Sequence, residues 1–194
     1  MSLFELYFKL GLQHIADLKG YDHILFILIL CAVYSLSEWK RVLILVTAFT
    51  IGHTLTLALA TLNLIRMDGD LIEFLIPLTI FITAMANLLN RKQKVPPVMH
   101  YMKYATALFF GLIHGLGFSN YLRSLLGSER GLLVPLFSFN VGIEVGQILI
   151  VVIIMVLTKL VVDLLKFPRR EWHVLLSGAG LGISLVLMIE RFPF

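Results

Sequence analysis

Asp22, His23, His53, His114 and Glu144 lie within long apolar stretches of a 194-residue chain. Imidazole and carboxylate are donor groups that suit zinc, nickel, cobalt and copper(II). In lipid such a group is costly unless it is paired, bound to metal or wetted. Several of them on separate apolar segments call for a shared explanation, and an intramembrane metal site supplies one. For any one residue alone, the competing explanation is a hydrogen bond to a neighbouring helix, with Glu144 paired or protonated.

Depth supports the shared explanation. At a rise of about 1.5 Å per residue, His53 stands about 18 Å above the cytoplasmic start of its segment and His114 about 17 Å beyond Lys103. Glu144 lies about 14 to 20 Å below the outer start of its own segment by the same rise. These three residues are expected at one level, with Asp22 and His23 above them near the outer rim. A ligating imidazole usually gives its other nitrogen to a polar neighbour, and the sequence offers Thr50, Asn140, Gln147 and Asn87 for that role. Asn140, Glu144 and Gln147 fall at i, i+4 and i+7, one polar stripe on an apolar helix. Thr79, Thr83 and Asn87 make a similar stripe that carries no ligand of its own. Glycines flank the candidates at Gly52, Gly111, Gly115, Gly117, Gly142 and Gly146, where small residues let helix backbones approach closely.

The elements that carry these residues follow from composition. The chain is 59% apolar and only 14% charged, with a mean hydropathy of +0.92, which excludes a soluble globular domain. The one cysteine, Cys31, excludes a disulfide framework. No basic cluster is interleaved with aromatics, so nucleic acid is not a partner. Spanning helices need about 20 mostly apolar residues, and six stretches qualify, over 20–37, 42–65, 74–90, 104–122, 131–158 and 172–189. The first reaches spanning length only if Asp22 and His23 enter the membrane edge. Residues 1–18 mix an apolar face with Glu5, Lys9, His14 and Asp17 and read as an interfacial helix. They lack the features of a cleaved secretory signal and are expected in the mature chain. The expected fold is thus an all-α integral membrane protein, one domain over 1–194, with six transmembrane helices in one bundle plus the interfacial helix.

The loops after spans one, three and five hold ten lysines and arginines, and the opposite side holds six. The positive-inside rule then puts both termini on the non-cytoplasmic side of the cytoplasmic (inner) membrane. His100 and His173 fall in the basic loops, where a solvated role is expected. Spans one to three and four to six run in opposite senses, with His23 answering His114 and His53 answering Glu144. This weak symmetry suggests a 3+3 inverted repeat, a transporter plan.

Four motifs in order carry a resemblance: Gly20-Tyr21-Asp22-His23-Ile24-Leu25-Phe26 after His14; Phe49-Thr50-Ile51-Gly52-His53-Thr54-Leu55-Thr56; Gly111-Leu112-Ile113-His114-Gly115-Leu116-Gly117-Phe118; and Phe139-Asn140-Val141-Gly142-Ile143-Glu144-Val145-Gly146-Gln147. Over nearly its whole length the chain resembles the HupE/UreJ family of small membrane proteins. The resemblance implies hydrogenase or urease accessory function and nickel or cobalt uptake. It also implies metal-site roles for His14, Asp22, His23, His53, His114 and Glu144.

The leading expectation is a divalent transition-metal permease (nickel, cobalt, zinc or copper), passing its ion from Asp22 and His23 to His53, His114 and Glu144. Its partners would be the ion, membrane lipid and, if it self-associates, further copies of the chain. The principal alternative is an intramembrane metallohydrolase with a fixed zinc ion and Glu144 as general base. The absence of an HExxH pattern counts mildly against it. A membrane accessory protein that binds metal without moving it is the third reading.

Overall fold

The computed structural model describes residues 1–89, 97–126 and 131–193, and every described element is helical. In chain order these are α1 (Leu3–Ile15), α2 (Asp22–Ala32), α3 (Trp39–Thr61), α4 (Gly69–Leu89), α5 (Pro97–Gly117), α6 (Ser119–Leu126), α7 (Leu133–Lys159) and α8 (Arg169–Glu190). A short 3-10 turn at Leu36–Glu38 leads into α3, and a π-helical turn at Leu160–Leu164 extends α7. Asn90, Arg91, Lys92, Lys94, Glu129 and Arg130, which enter the span and orientation expectations, lie outside the described residues.

Among the described residues, four helical stretches are long and apolar enough to cross a membrane: Leu36–Thr61, Gly69–Leu89, Leu133–Leu164 and Arg169–Glu190. They correspond to the second, third, fifth and sixth expected spans. α5 has 21 residues, as many as α4, but carries His100 and Lys103 in its first turns. Of the expected first span, 20–37, α2 covers only 11 residues, about 16 Å at 1.5 Å per residue, roughly half the hydrocarbon thickness. Its C-terminal carbonyls would be orphaned by so early an end. Asn87 of α4 meets one of them, donating to the Ile29 carbonyl at 2.9 Å.

The interfacial reading of residues 1–18 also needs correction. α1 is capped as its sequence dictates, with the Ser2 hydroxyl accepting from the Glu5 amide at 3.2 Å and the Glu5 carboxylate accepting from the Ser2 amide at 3.3 Å. It then packs lengthwise on α7, burying Tyr7, Gly11 and Ile15. A Cβ on Gly11 would run into the Phe139 carbonyl, and one on Gly142 into the Phe8 carbonyl. The two backbones touch there, which only glycine permits. α3 and α5 meet in the same way, with Gly52 against the Leu108 carbonyl and Gly111 against the Phe49 carbonyl.

These contacts fix directions. Phe8 to Ile15 advances alongside Phe139 to Gly146, so α1 and α7 run the same way, and Phe49 to Thr56 advances alongside Leu108 to Gly115, so α3 and α5 do too. Between the pairs the sense reverses. Thr54 of α3 bonds Asn140 of α7 while Thr50, a turn earlier, bonds Gln147, so α3 and α7 are antiparallel. Phe74 near the start of α4 packs edge to face on Phe192 just past α8, so α4 and α8 are antiparallel as well.

Candidate metal centre

His14 sits one residue before the end of α1 and His23 is the second residue of α2. The connection between them is tightened by the Asp17 carboxylate, which accepts the Lys19 amide at 2.8 Å. The turn brings the two rings to 4.7 Å between centroids. His53 enters from the middle of α3, 6.0 Å from each of them. One ligand-capable nitrogen from each of His14, His23 and His53 lies within 4.8 Å of the other two, the spacing of donors that could share one ion. His114, in the last turn of α5, completes the cluster with its ring 5.2 Å from that of His23.

His23, His53 and His114 are buried and His14 is half-buried. Buried imidazole nitrogens are ordinarily hydrogen-bonded. Here His14 Nε2, His23 Nε2, both nitrogens of His53 and His114 Nδ1 have no hydrogen-bond partner among the described residues. Lone pairs left bare in one place fit a transition-metal ion. Aromatic rings enclose them: Phe118 lies 4.0 Å from His14, Phe49 5.0 Å and Phe26 5.4 Å from His114, centroid to centroid.

His114 has one partner. The Thr79 hydroxyl is 2.7 Å from the Ile76 carbonyl and 3.1 Å from His114 Nε2. A hydroxyl has one proton, and the shorter contact takes it, so Thr79 accepts from Nε2–H. That network assigns the tautomer of His114 and leaves its Nδ1 as a lone pair. Thr79 was visible in the sequence only as part of a threonine stripe without a ligand, and nothing there tied it to His114.

The remaining expected residues lie elsewhere. Asp22 is next to His23 in the chain, but its carboxylate pairs with Arg191 at 3.1 Å. Glu144 accepts from Thr47 at 2.6 Å on the seam between α3 and α7. Thr50 donates toward Gln147 at 2.7 Å, and Asn140 accepts from Thr54 at 2.7 Å. The expected shared level of His53, His114 and Glu144, with His23 above, is therefore replaced by four histidines in one cluster and the polar stripe of α7 turned toward α3. His100 and His173 lie on α5 and α8, not in loops.

A cleft of about 540 Å³ opens beyond the C-terminal end of α5, lined among others by Leu116, Gly117, Ile72, Arg66, Glu73 and Arg123. Leu116 and Gly117 lie within a turn of His114 on that helix.

No curated protein and no solved structure matches the chain. A family model described as HupE / UreJ protein matches residues 1–191, the whole length of the helical bundle. The four motifs and the helices that carry them therefore have a common origin with known sequences, and the chain belongs to the HupE/UreJ family.

Proposed function

We propose that the protein is a divalent transition-metal permease whose ion binds His14, His23 and His53 on its way across the membrane. The observation that carries this reading is the set of three convergent imidazoles with bare nitrogens. Family membership agrees with it, since the family is tied to metal handling. Neutral nitrogen donors suit zinc, nickel, cobalt or copper(II). The hydrolase alternative gives Glu144 the role of general base, and Glu144 is instead bonded to Thr47 on the seam between α3 and α7 and is not among the residues within one ion's reach. Asp22, His114 and Glu144 remain candidates for transient contact with a moving ion rather than for the resting site.

The transport reading comes with a topology. We place the protein in the cytoplasmic membrane with both termini outside and six crossings, α2 and the residues after it forming the first. Non-helical backbone at depth is tolerated where protein covers it, and Tyr34 is buried with its amide on the Cys31 carbonyl at 2.9 Å. An inverted repeat is supported by the paired contacts, in a register other than the 3+3 one. Gly11-Leu12-Gln13-His14 of α1 answers Gly111-Leu112-Ile113-His114 of α5, and Phe49-Thr50-Ile51-Gly52 of α3 answers Phe139-Asn140-Val141-Gly142 of α7. Each contact of α1 with α7 then has its counterpart between α5 and α3: Gly11 at Phe139 and Gly111 at Phe49, Gly142 at Phe8 and Gly52 at Leu108, Gly146 at Ile15 and Gly115 at Thr56. The repeat pairs α1–α4 with α5–α8, and each half lends a helix to the other.

Proteoliposomes loaded with a metal-sensitive dye test the function. Wild type is expected to take up at least one of Ni²⁺, Co²⁺, Zn²⁺ and Cu²⁺, and His23→Ala and His53→Ala to lose both uptake and equilibrium binding of that ion. Uptake by both variants at the wild-type rate would refute the reading.

A further inference from the structure

His14 and His114 occupy corresponding places in helices that run in opposite directions. Each follows a Gly-Leu pair by two residues, and in each case the glycine is pressed on a phenylalanine carbonyl of the partner helix, Phe139 or Phe49. Their rings converge on the same neighbour, His23, at 4.7 and 5.2 Å. Yet their present states differ. His14 belongs to the group whose nitrogens lie within one ion's reach. His114 is held back through Nε2 on Thr79, with Nδ1 bare and buried.

We propose that His14 and His114 are alternate ligands for one ion, which His23 and His53 hold throughout: His14 completes the site in the arrangement described here, and His114 replaces it in the oppositely facing one. This inference rests on the permease reading and adds a mechanism to it. A permeating ion needs a site that changes donors without emptying, because a divalent ion stripped of ligands in an apolar bundle is far too costly. Two histidines placed equivalently in inverted halves meet that need, since exchanging the conformations of the halves exchanges which of them reaches the ion. Thr79 is the positioning residue. It holds the His114 proton on Nε2, so Nδ1 is ready to coordinate without first losing a proton. Pro77 sits in the same turn of α4. Its ring disrupts regular helix hydrogen bonding there, which gives Thr79 a local hinge. His114 lies two and three residues before Leu116 and Gly117, which line a cleft with Arg66, Glu73 and Arg123, so the exchange would move the ion toward the end of α5 that borders that cleft.

The experiment uses the full-length protein, Co²⁺ absorption spectra for equilibrium binding and Zn²⁺ uptake into proteoliposomes for transport. His14→Ala and His114→Ala are each expected to keep a bound Co²⁺, because one arrangement survives in each, and each is expected to lose uptake. The double variant is expected to lose the ion. Thr79→Val should slow uptake by about tenfold, the scale of a lost ligand-orienting partner, with Co²⁺ binding unchanged, and Thr79→Ser should restore the rate. A His114→Ala variant that loses Co²⁺ as completely as His53→Ala would make His114 a permanent ligand and overturn the proposal. So would wild-type uptake by His114→Ala, or a double variant that binds as well as the singles. If wild type itself binds no Co²⁺, or His53→Ala binds it normally, the metal centre fails rather than the exchange.

Discussion

The histidine cluster and the seam between α3 and α7 are both polar regions inside an apolar bundle, and their polar groups are satisfied in opposite ways. On the seam, three threonines from one face of α3 meet three polar residues from one face of α7: Thr47 with Glu144, Thr50 with Gln147 and Thr54 with Asn140, at 2.6 to 2.7 Å. The Glu144 and Gln147 side chains each keep an unpartnered atom, but both are anchored by another. In the cluster, His53 is fully buried and neither of its nitrogens has a partner. A set of groups that satisfies itself holds helices together. A set that does not leaves lone pairs free, and imidazole nitrogens are donors that suit a transition-metal ion.

The strongest way to break this contrast is to delete the residue with no other employment. His53→Ala removes a donor that makes no internal hydrogen bond, so its loss should weaken metal binding by more than about a hundredfold, beyond what a lost supporting residue costs. Its effect on the thermal transition without metal should be small or stabilising, because a buried unsatisfied ring is replaced by a methyl. Calorimetry with and without Zn²⁺ reads both. A large loss of apo stability with unchanged metal affinity would put His53 in the same class as the seam residues.

A smaller effect sharpens the contrast at the edge of the cluster. Asp22 adjoins His23 but bonds Arg191, with the two side chains 12% and 26% exposed. If Asp22 serves the fold rather than the ion, Asp22→Asn should cost about 1 kcal/mol, the upper range for a partly screened pair, and should leave metal affinity near wild type. Arg191→Gln should cost a similar amount and the double variant less than the two together, since both remove one interaction. A loss of metal affinity in Asp22→Asn that is absent in Arg191→Gln would return Asp22 to the ligand set.

How much of this was legible in the sequence depends on whether the deciding fact was local. The charge-free runs that became α3, α4, α7 and α8 are local, and they were readable to within a few residues. The candidate histidines were readable because an imidazole in an apolar run stands out wherever it points. The sequence reads α1 as a surface helix because Glu5, Lys9, His14 and Asp17 interrupt its apolar face, whereas its packing depends on Gly11 meeting a carbonyl 128 positions away at Phe139. For the same reason His14 entered only through family resemblance. For Glu144 the face decides the partner: the 140, 144 and 147 stripe is legible as one face of α7, and only the packing shows that this face meets threonines. Thr79 was hidden because its bond to His114 joins residues on different helices, and a threonine that also bonds its own helix looks self-sufficient.

The smallest predicted effect tests the seam directly. Glu144→Gln preserves the side-chain shape and the oxygen that accepts the Thr47 hydroxyl, and it removes the charge. If the seam is a structural zipper, the change should shift stability by about half a kcal/mol or less, as for substitutions that break no buried network. Equilibrium binding of Co²⁺ should also be unchanged, since Glu144 is not among the residues that share one ion's reach. The informative comparison is with Thr47→Val, which removes the hydroxyl and leaves the carboxylate of Glu144 without that donor. Thr47→Val should destabilise more than Glu144→Gln, because stranding an acceptor costs more than exchanging it for a neutral one that keeps its bond. The reverse order, or a loss of Co²⁺ binding in Glu144→Gln alone, would mean that the carboxylate reaches the histidines and that the two polar regions act as one.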